Sequence, residues 1–183
     1  MCIRDRRNLE LVQTLRGEDS PTLFSLLDTC MTGMGSRLLK RWLLAPRRER
    51  GDAQARLEAI GALQATVLGG AGAPWRTLRE QLKNTSDVER IAARIALRQV
   101  RPRELLALRL ALAKAEQLAP ALPGAVALLA QIAERLAPPP GCAELLASAI
   151  KPDPAALVRD GGVIATGHDA ELDELREISE NCD

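Results

Sequence analysis

His168 and Asp169 stand side by side, and an imidazole next to a carboxylate is half of an acid–base pair. Completing that chemistry needs a nucleophile or a second base. His168 is the single histidine in 183 residues, and no Gly-x-Ser-x-Gly turn presents a serine. The preferred reading is a histidine in a surface loop. Glu171, Asp173 and Glu174 follow, and carboxylates so placed more often serve the positive end of a helix than acid–base work. Gly33-Met-Gly-Ser-Arg-Leu38 resembles the start of a phosphate loop. It lacks the third glycine and a strong preceding strand, and no Gly-x4-Gly-Lys-Ser/Thr run exists in the chain, so a plain helix start is preferred. Arg90, Arg94, Arg98 and Arg101 recur every three or four residues and could grip phosphates. Glu89 and Glu104 flank them without an interleaved aromatic, so a solvated face is preferred, as it is for Arg37, Lys40 and Arg41. Cys2, Cys30, Cys142 and Cys182 form no Cys-x-x-Cys pair, which disfavours a zinc site or a disulfide framework and favours reduced thiols. No catalytic, cofactor-binding or metal-ligating residue is assigned.

The segments carrying these groups are helical in pattern. Hydrophobic residues make up 46% of the chain and are mostly Leu and Ala, while aromatics are 2%, which favours helix over a large sheet. The net charge of +1 gives no global attraction to nucleic acid or anionic membrane. No apolar run approaches transmembrane length, and Met-Cys-Ile-Arg-Asp-Arg lacks the apolar centre of a signal peptide, so the expected location is cytoplasmic.

The organising stretch is Thr32–Pro46. Thr32 or Gly33 can cap its start and Pro46 stops it. Met34, Leu38, Leu39, Trp42 and Leu43 share one stripe and are expected in the core, with Trp42 as anchor because a buried Trp covers about 150–250 Å². Ile91 and Ile95 are expected to face inward from a helix over Asp87–Gln99, opened by a Ser86–Glu89 capping box. Further helices are expected at Leu23–Cys30, Asp52–Leu68, Trp75–Lys83, Pro102–Ala119, Ala125–Leu136, Cys142–Ile150 and Ala170–Cys182, with a break at Gly69–Pro74. Arg7–Leu15 reads equally as a short strand or a helical turn. Leu157–Gly167 carries Val158, Val163 and Ile164 around Asp160-Gly161-Gly162, a β-hairpin signal. The chain stops at Asp183 in mid-helix, which reads as a cut.

Five blocks resemble the bacterial MutS mismatch-repair family, in order and with similar gaps: RRNLEL at Arg6–Leu11, TLFSLLD at Thr22–Asp28, the Thr32–Pro46 helix, SDVERIAARIALRQVRPREL at Ser86–Leu105, and LVRDGGVIATGHDAELDELREIS at Leu157–Ser179. The resemblance implies a mainly all-α fold, an irregular bundle of core and lever helices with one short hairpin near Leu157–Gly167. It places residues 1–6 outside the family as a tail, 7–168 in the first part of the core-and-lever domain, and 169–183 at the start of the helix running toward the clamp. It makes Phe24 a core residue. It implies a non-catalytic piece of an ATP-dependent protein that binds mismatched double-stranded DNA. The ATP and magnesium sites, the mismatch-reading domain and most of the clamp have no position in this chain. Partners implied for the parent are mismatched DNA, a second copy and a MutL-type protein, with no membrane. Apolar surface left open by the absent return helix is expected to favour self-association. The alternative is a free-standing helical adaptor that binds a partner helix through the Leu-rich Pro102–Ala119 segment.

Overall fold

The computed structural model describes residues 8–65 and 72–181. The expected tail at Met1–Arg6, the last turn of the Asp52–Leu68 helix, most of the Gly69–Pro74 break and Cys182–Asp183 lie outside those residues. Among the described residues nine α-helices follow one another: α1 Leu23–Leu27, α2 Gly33–Leu44, α3 Arg50–Gln64, α4 Pro74–Leu82, α5 Val88–Ala96, α6 Pro102–Leu118, α7 Ala127–Arg135, α8 Cys142–Ala149 and α9 Ala170–Glu180. The fold is mostly helical, as the Leu- and Ala-rich composition predicts. None of these helices is long and apolar enough to cross a membrane.

Local chemistry explains the boundaries. Thr22 caps α1 through a reciprocal box: its hydroxyl accepts from the Ser25 amide, and the Ser25 hydroxyl oxygen accepts from the Thr22 amide. Thr32 caps α2 by accepting from the Gly35 amide at 3.1 Å. Pro74 opens α4 at a position where a missing N–H costs nothing, and Asp169 caps α9 by accepting from the Leu172 amide at 3.1 Å. Of the two alternatives for Arg7–Leu15, no strand is seen among the described residues: Asn8 is helical and turns follow it. Glu10 holds this segment, its carboxylate accepting from the Leu15 amide at 2.7 Å.

The chain divides into two units, the residues up to Asp87 with Leu118–Glu134, and Val88–Gln117 with Arg135–Asp183. In the first unit α1 packs on α2 and α3 on α4. Leu11, Ala59, Leu78, Leu118 and Leu129 are buried there, Leu129 most completely at 3% exposure. The stripe of α2 is only half covered. Met34, Leu39 and Leu43 are half-buried, Leu38 is exposed, and Trp42 is 42% exposed. Trp42 does not anchor a closed core. Its indole instead carries the Arg56 guanidinium of α3, 3.8 Å from the ring centroid. Phe24 is half-buried.

The second unit has a closed core of Ile91, Leu108, Leu146, Ala149, Ile150 and Val163. Ile91 takes its expected inward place at 6% exposure, whereas Ile95, one turn on, is 40% exposed. The expected β-hairpin at Leu157–Gly167 is not seen. Val158–Asp160 form a 3-10 turn, and Gly161 and Gly162 both have positive φ. The strand-like partner of Ile164 is Ile150, in a single antiparallel bridge. The Lys151 amide donates to Val163 O at 3.0 Å and the Ala165 amide to Ala149 O at 2.8 Å. The turn signal is genuine, but burial of Ile150 and Val163 decides the pairing: closing the core gains more than zipping Val158, which stays 71% exposed.

Two glycines give a contrasting test. A Cβ on Gly35 would sit 3.2 Å from Thr32 Oγ1 and 3.3 Å from Cys30 Cβ, pressing on the cap. Gly61 in α3 has open space around it. Gly61→Ala should raise unfolding stability by about 0.5–1 kcal/mol. Gly35→Ala should lose that gain because the cap it disturbs is worth about 1 kcal/mol. Urea denaturation of both variants checks the difference.

Candidate functional site

Two ionic junctions hold the ends of helices in place, one in each unit. In the first unit Arg37, on the second turn of α2, meets Asp87 in a two-pronged pair: Nη1 to Oδ2 at 2.6 Å and Nη2 to Oδ1 at 2.8 Å. The side chains are 35% and 25% exposed. Two parallel charged hydrogen bonds fix orientation as well as distance. Asp87 is the residue immediately before α5, and the expected Asp87–Gln99 helix begins one residue late, at Val88.

The same carboxylate bears on the glycine-rich start of α2. A methyl group at Gly33 would lie 3.6 Å from Arg37 Nη1 and 3.7 Å from Asp87 Oδ2, and the Gly35 and Ser36 amides are taken by Thr32 Oγ1 and Thr32 O. The Arg37–Asp87 ion pair therefore stands beside the helix start, and two amides of its first turn already serve the cap. Asp87→Asn, which keeps shape and removes charge, should cost about 1–2 kcal/mol in chemical denaturation, the upper range for such pairs being reduced by partial exposure. Arg37→Met should cost a similar amount, and the double variant should fall short of the sum of the two.

Beside this junction, Asp28 accepts from the Ser36 hydroxyl at 3.0 Å and the Cys30 amide at 3.2 Å. Burial pushes its carboxyl upward, but the hydrogen bonds from Ser36 and from the Cys30 amide and thiol outweigh that and hold it below its ordinary value. Burial, the bond to Asp28 and that carboxylate's charge push the Cys30 thiol up, against weaker pulls from Ser36 and Arg79. Asp28 thus adds stability above the ordinary carboxylate pKa, lost as pH falls through its lowered value. The Cys30 contribution is present below the ordinary thiol pKa and is lost as pH rises through its raised value. Cys30 and Cys142 are free thiols.

The second junction docks α9. Asp173 Oδ2 accepts from the Gly167 amide at 2.6 Å, and Asp173 Oδ1 accepts from Arg176 Nη1 at 2.9 Å. Arg176 Nη2 donates to Ile164 O at 3.0 Å, one half of the Ile150–Ile164 bridge. Arg109 of α6 donates to Ile150 O, the other half, at 3.1 Å. α9 is therefore tied to the core through one arginine and one carboxylate. Of the acidic trio read from the sequence, Asp173 carries this link, while Glu171 and Asp173 stand in the first turn of α9. His168 is exposed in the turn before the helix.

Arg109 and Arg176 were not legible as site residues. Each acts through a backbone carbonyl, 41 and 12 residues away respectively, and no local spacing reports that. The arginine row is exposed as expected, and Arg94 pairs with Glu104. Among the described residues no group of three or more His, Cys, Asp or Glu could hold a metal ion. The Leu-rich α6 is contacted on one side only in part: Leu108, Ala111 and Leu118 are buried, but Leu110 is 58% exposed. A family model described as MutS domain III matches residues 6–183.

Proposed function

The chain belongs to the MutS domain III family and is a piece of a MutS-family mismatch-repair protein, and from that premise we propose that it is a non-catalytic core-and-lever scaffold. In this reading it passes nucleotide-dependent movement from an ATPase elsewhere in the parent to the arm that closes over DNA. The observation that carries the reading is the α9 junction, where Asp173 and Arg176 fix the departing helix to the carbonyl of a core residue. A helix that transmits displacement needs such a rigid root, because packed elements shift between discrete arrangements and do not deform continuously.

ATP and magnesium belong to the parent's ATPase and not to the glycine-rich start of α2, whose Gly35 and Ser36 amides serve the Thr32 cap. Mismatched duplex DNA is held mainly through other domains of the parent, which works as a pair of copies with a MutL-type partner in the cytoplasm. Two of the carboxylates singled out in the sequence have mechanical roles: Asp169 caps α9 and Asp173 ties it.

The test replaces the matching segment of a MutS-type protein with this chain. The graft should restore a low mutation frequency and keep ATP-driven release from a mismatch. A graft that binds ATP and mismatched duplex normally but no longer releases on ATP addition overturns the coupling role. The 183-residue chain itself should bind neither ATP nor mismatched duplex measurably at physiological salt, by filter binding. It should also self-associate, since Leu110, Leu145, Leu175 and Ile178 are each more than half exposed. Light scattering at rising concentration checks this, with a constant monomer mass as the opposing result.

A further inference from the structure

Val88–Glu104 carries five arginines against two glutamates, net +3, in a chain whose total is +1. Arg90, Arg94, Arg98, Arg101 and Arg103 are all exposed. Arg90 and Arg94 lie one turn apart on α5, and Arg98 continues the row just past the helix end. Elsewhere in the second unit the balance reverses: Asp169–Glu180 holds six carboxylates and one arginine. Positive charge is therefore gathered on one edge.

The backbone at Arg98 is a second, independent observation. Its φ is +55°, in the left-handed region. The Arg98 amide donates to Ile95 O at 2.9 Å and the Gln99 amide to Arg94 O at 2.8 Å. This pair of bonds is the helix ending usually closed by glycine, because a side chain at that residue is strained. An arginine here gives up stability and extends the basic row beyond the helix. Strain held against the local preference marks positions kept for another purpose. Glu104 then pairs with Arg94 and accepts from the Arg101 amide at 2.9 Å, which fixes the turn between α5 and α6. The row is thus presented on a set backbone.

We propose that the α5 edge and the turn after it form a binding surface for the phosphate backbone of duplex DNA, engaged without regard to base sequence. In this proposal the guanidinium groups engage phosphate oxygens, and such contacts position DNA without selecting its sequence. The choice of duplex DNA rests on the mismatch-repair reading; the basic edge itself does not.

The test is anisotropy of a labelled duplex with the full chain across a salt series beginning at low ionic strength, where weak contacts are measurable. Each phosphate neutralised contributes a slope of about −0.9 in log affinity against log salt. Arg98→Gly should make the slope shallower by about 0.9, equally for matched and mismatched duplex. The same substitution should raise the melting temperature by about 2–4 °C, because glycine relieves the strain. Arg159→Ala, an exposed arginine outside the edge, should leave the slope unchanged. A slope unaffected by Arg98→Gly, a fall in melting temperature, or binding of acidic peptide in place of duplex would each overturn the proposal. If the slope is unaffected while the wild-type graft still supports repair, this surface fails and the family role stands. If the slope responds while the wild-type graft cannot support repair, the surface stands and the scaffold role fails.

Discussion

Ile91→Ala should lower the stability of the second unit by about 2–4 kcal/mol, the range for truncating a large aliphatic side chain in a closed core. Ile91 is 6% exposed and belongs to the cluster with Leu108, Leu146, Ala149, Ile150 and Val163. It is the one residue that α5 buries fully, with Val88 of the same helix packed partly buried against the cluster. The loss combines the transfer energy of the missing carbons with the unfilled volume they leave. Ile95→Ala, one turn along, is the control. Ile95 is 40% exposed, and its truncation should cost well under half as much. Urea unfolding followed by far-ultraviolet circular dichroism distinguishes the two. Equal losses would mean that α5 packs by a different face from the one described.

Arg176→Met is the second large effect, about 1–3 kcal/mol, because it strands two acceptors together. Asp173 loses the charge that faces it, and Ile164 O loses a donor, in a junction whose side chains are 28% and 21% exposed. Methionine keeps most of the volume, so the loss reports the hydrogen bonds and not a void. The amides of α9 should exchange with deuterium faster while those of α6 remain protected, since local opening draws on the weakest anchored element. Placed in a full-length MutS-type protein, the same substitution should loosen the response of the arm to nucleotide. Unchanged exchange in α9 would show that the helix is held by its apolar side alone.

How far the sequence could be read depends on the range of the cause. Helix starts written in the nearest residues, at Thr32, Pro102 and Asp169, are found where pattern and capping chemistry predict them. Ile91 is read correctly because its burial is served by a strong stripe on a short helix. Trp42 is not, because a stripe tells which side of a helix is apolar and not whether another element closes over it; here the Arg56 guanidinium lies on the ring and the residue stays 42% exposed. The hairpin fails for a similar reason. Asp160-Gly161-Gly162 announces a turn, yet the partner of Ile164 is Ile150, on the far side of the Lys151–Pro154 break. Arg109 and Arg176 find backbone carbonyls, which every residue possesses, so their targets leave no mark in residue type. The family blocks, by contrast, were legible as words in order, and residues 6–183 match that family throughout.

Both indoles of the chain, Trp42 and Trp75, belong to the first unit, and the chain has no tyrosine. Emission excited at the indole band is therefore blind to the second unit's own melting. Any displacement of that signal by Ile91→Ala would be a direct reading of cooperativity passed across the chain, obtained without attaching a dye.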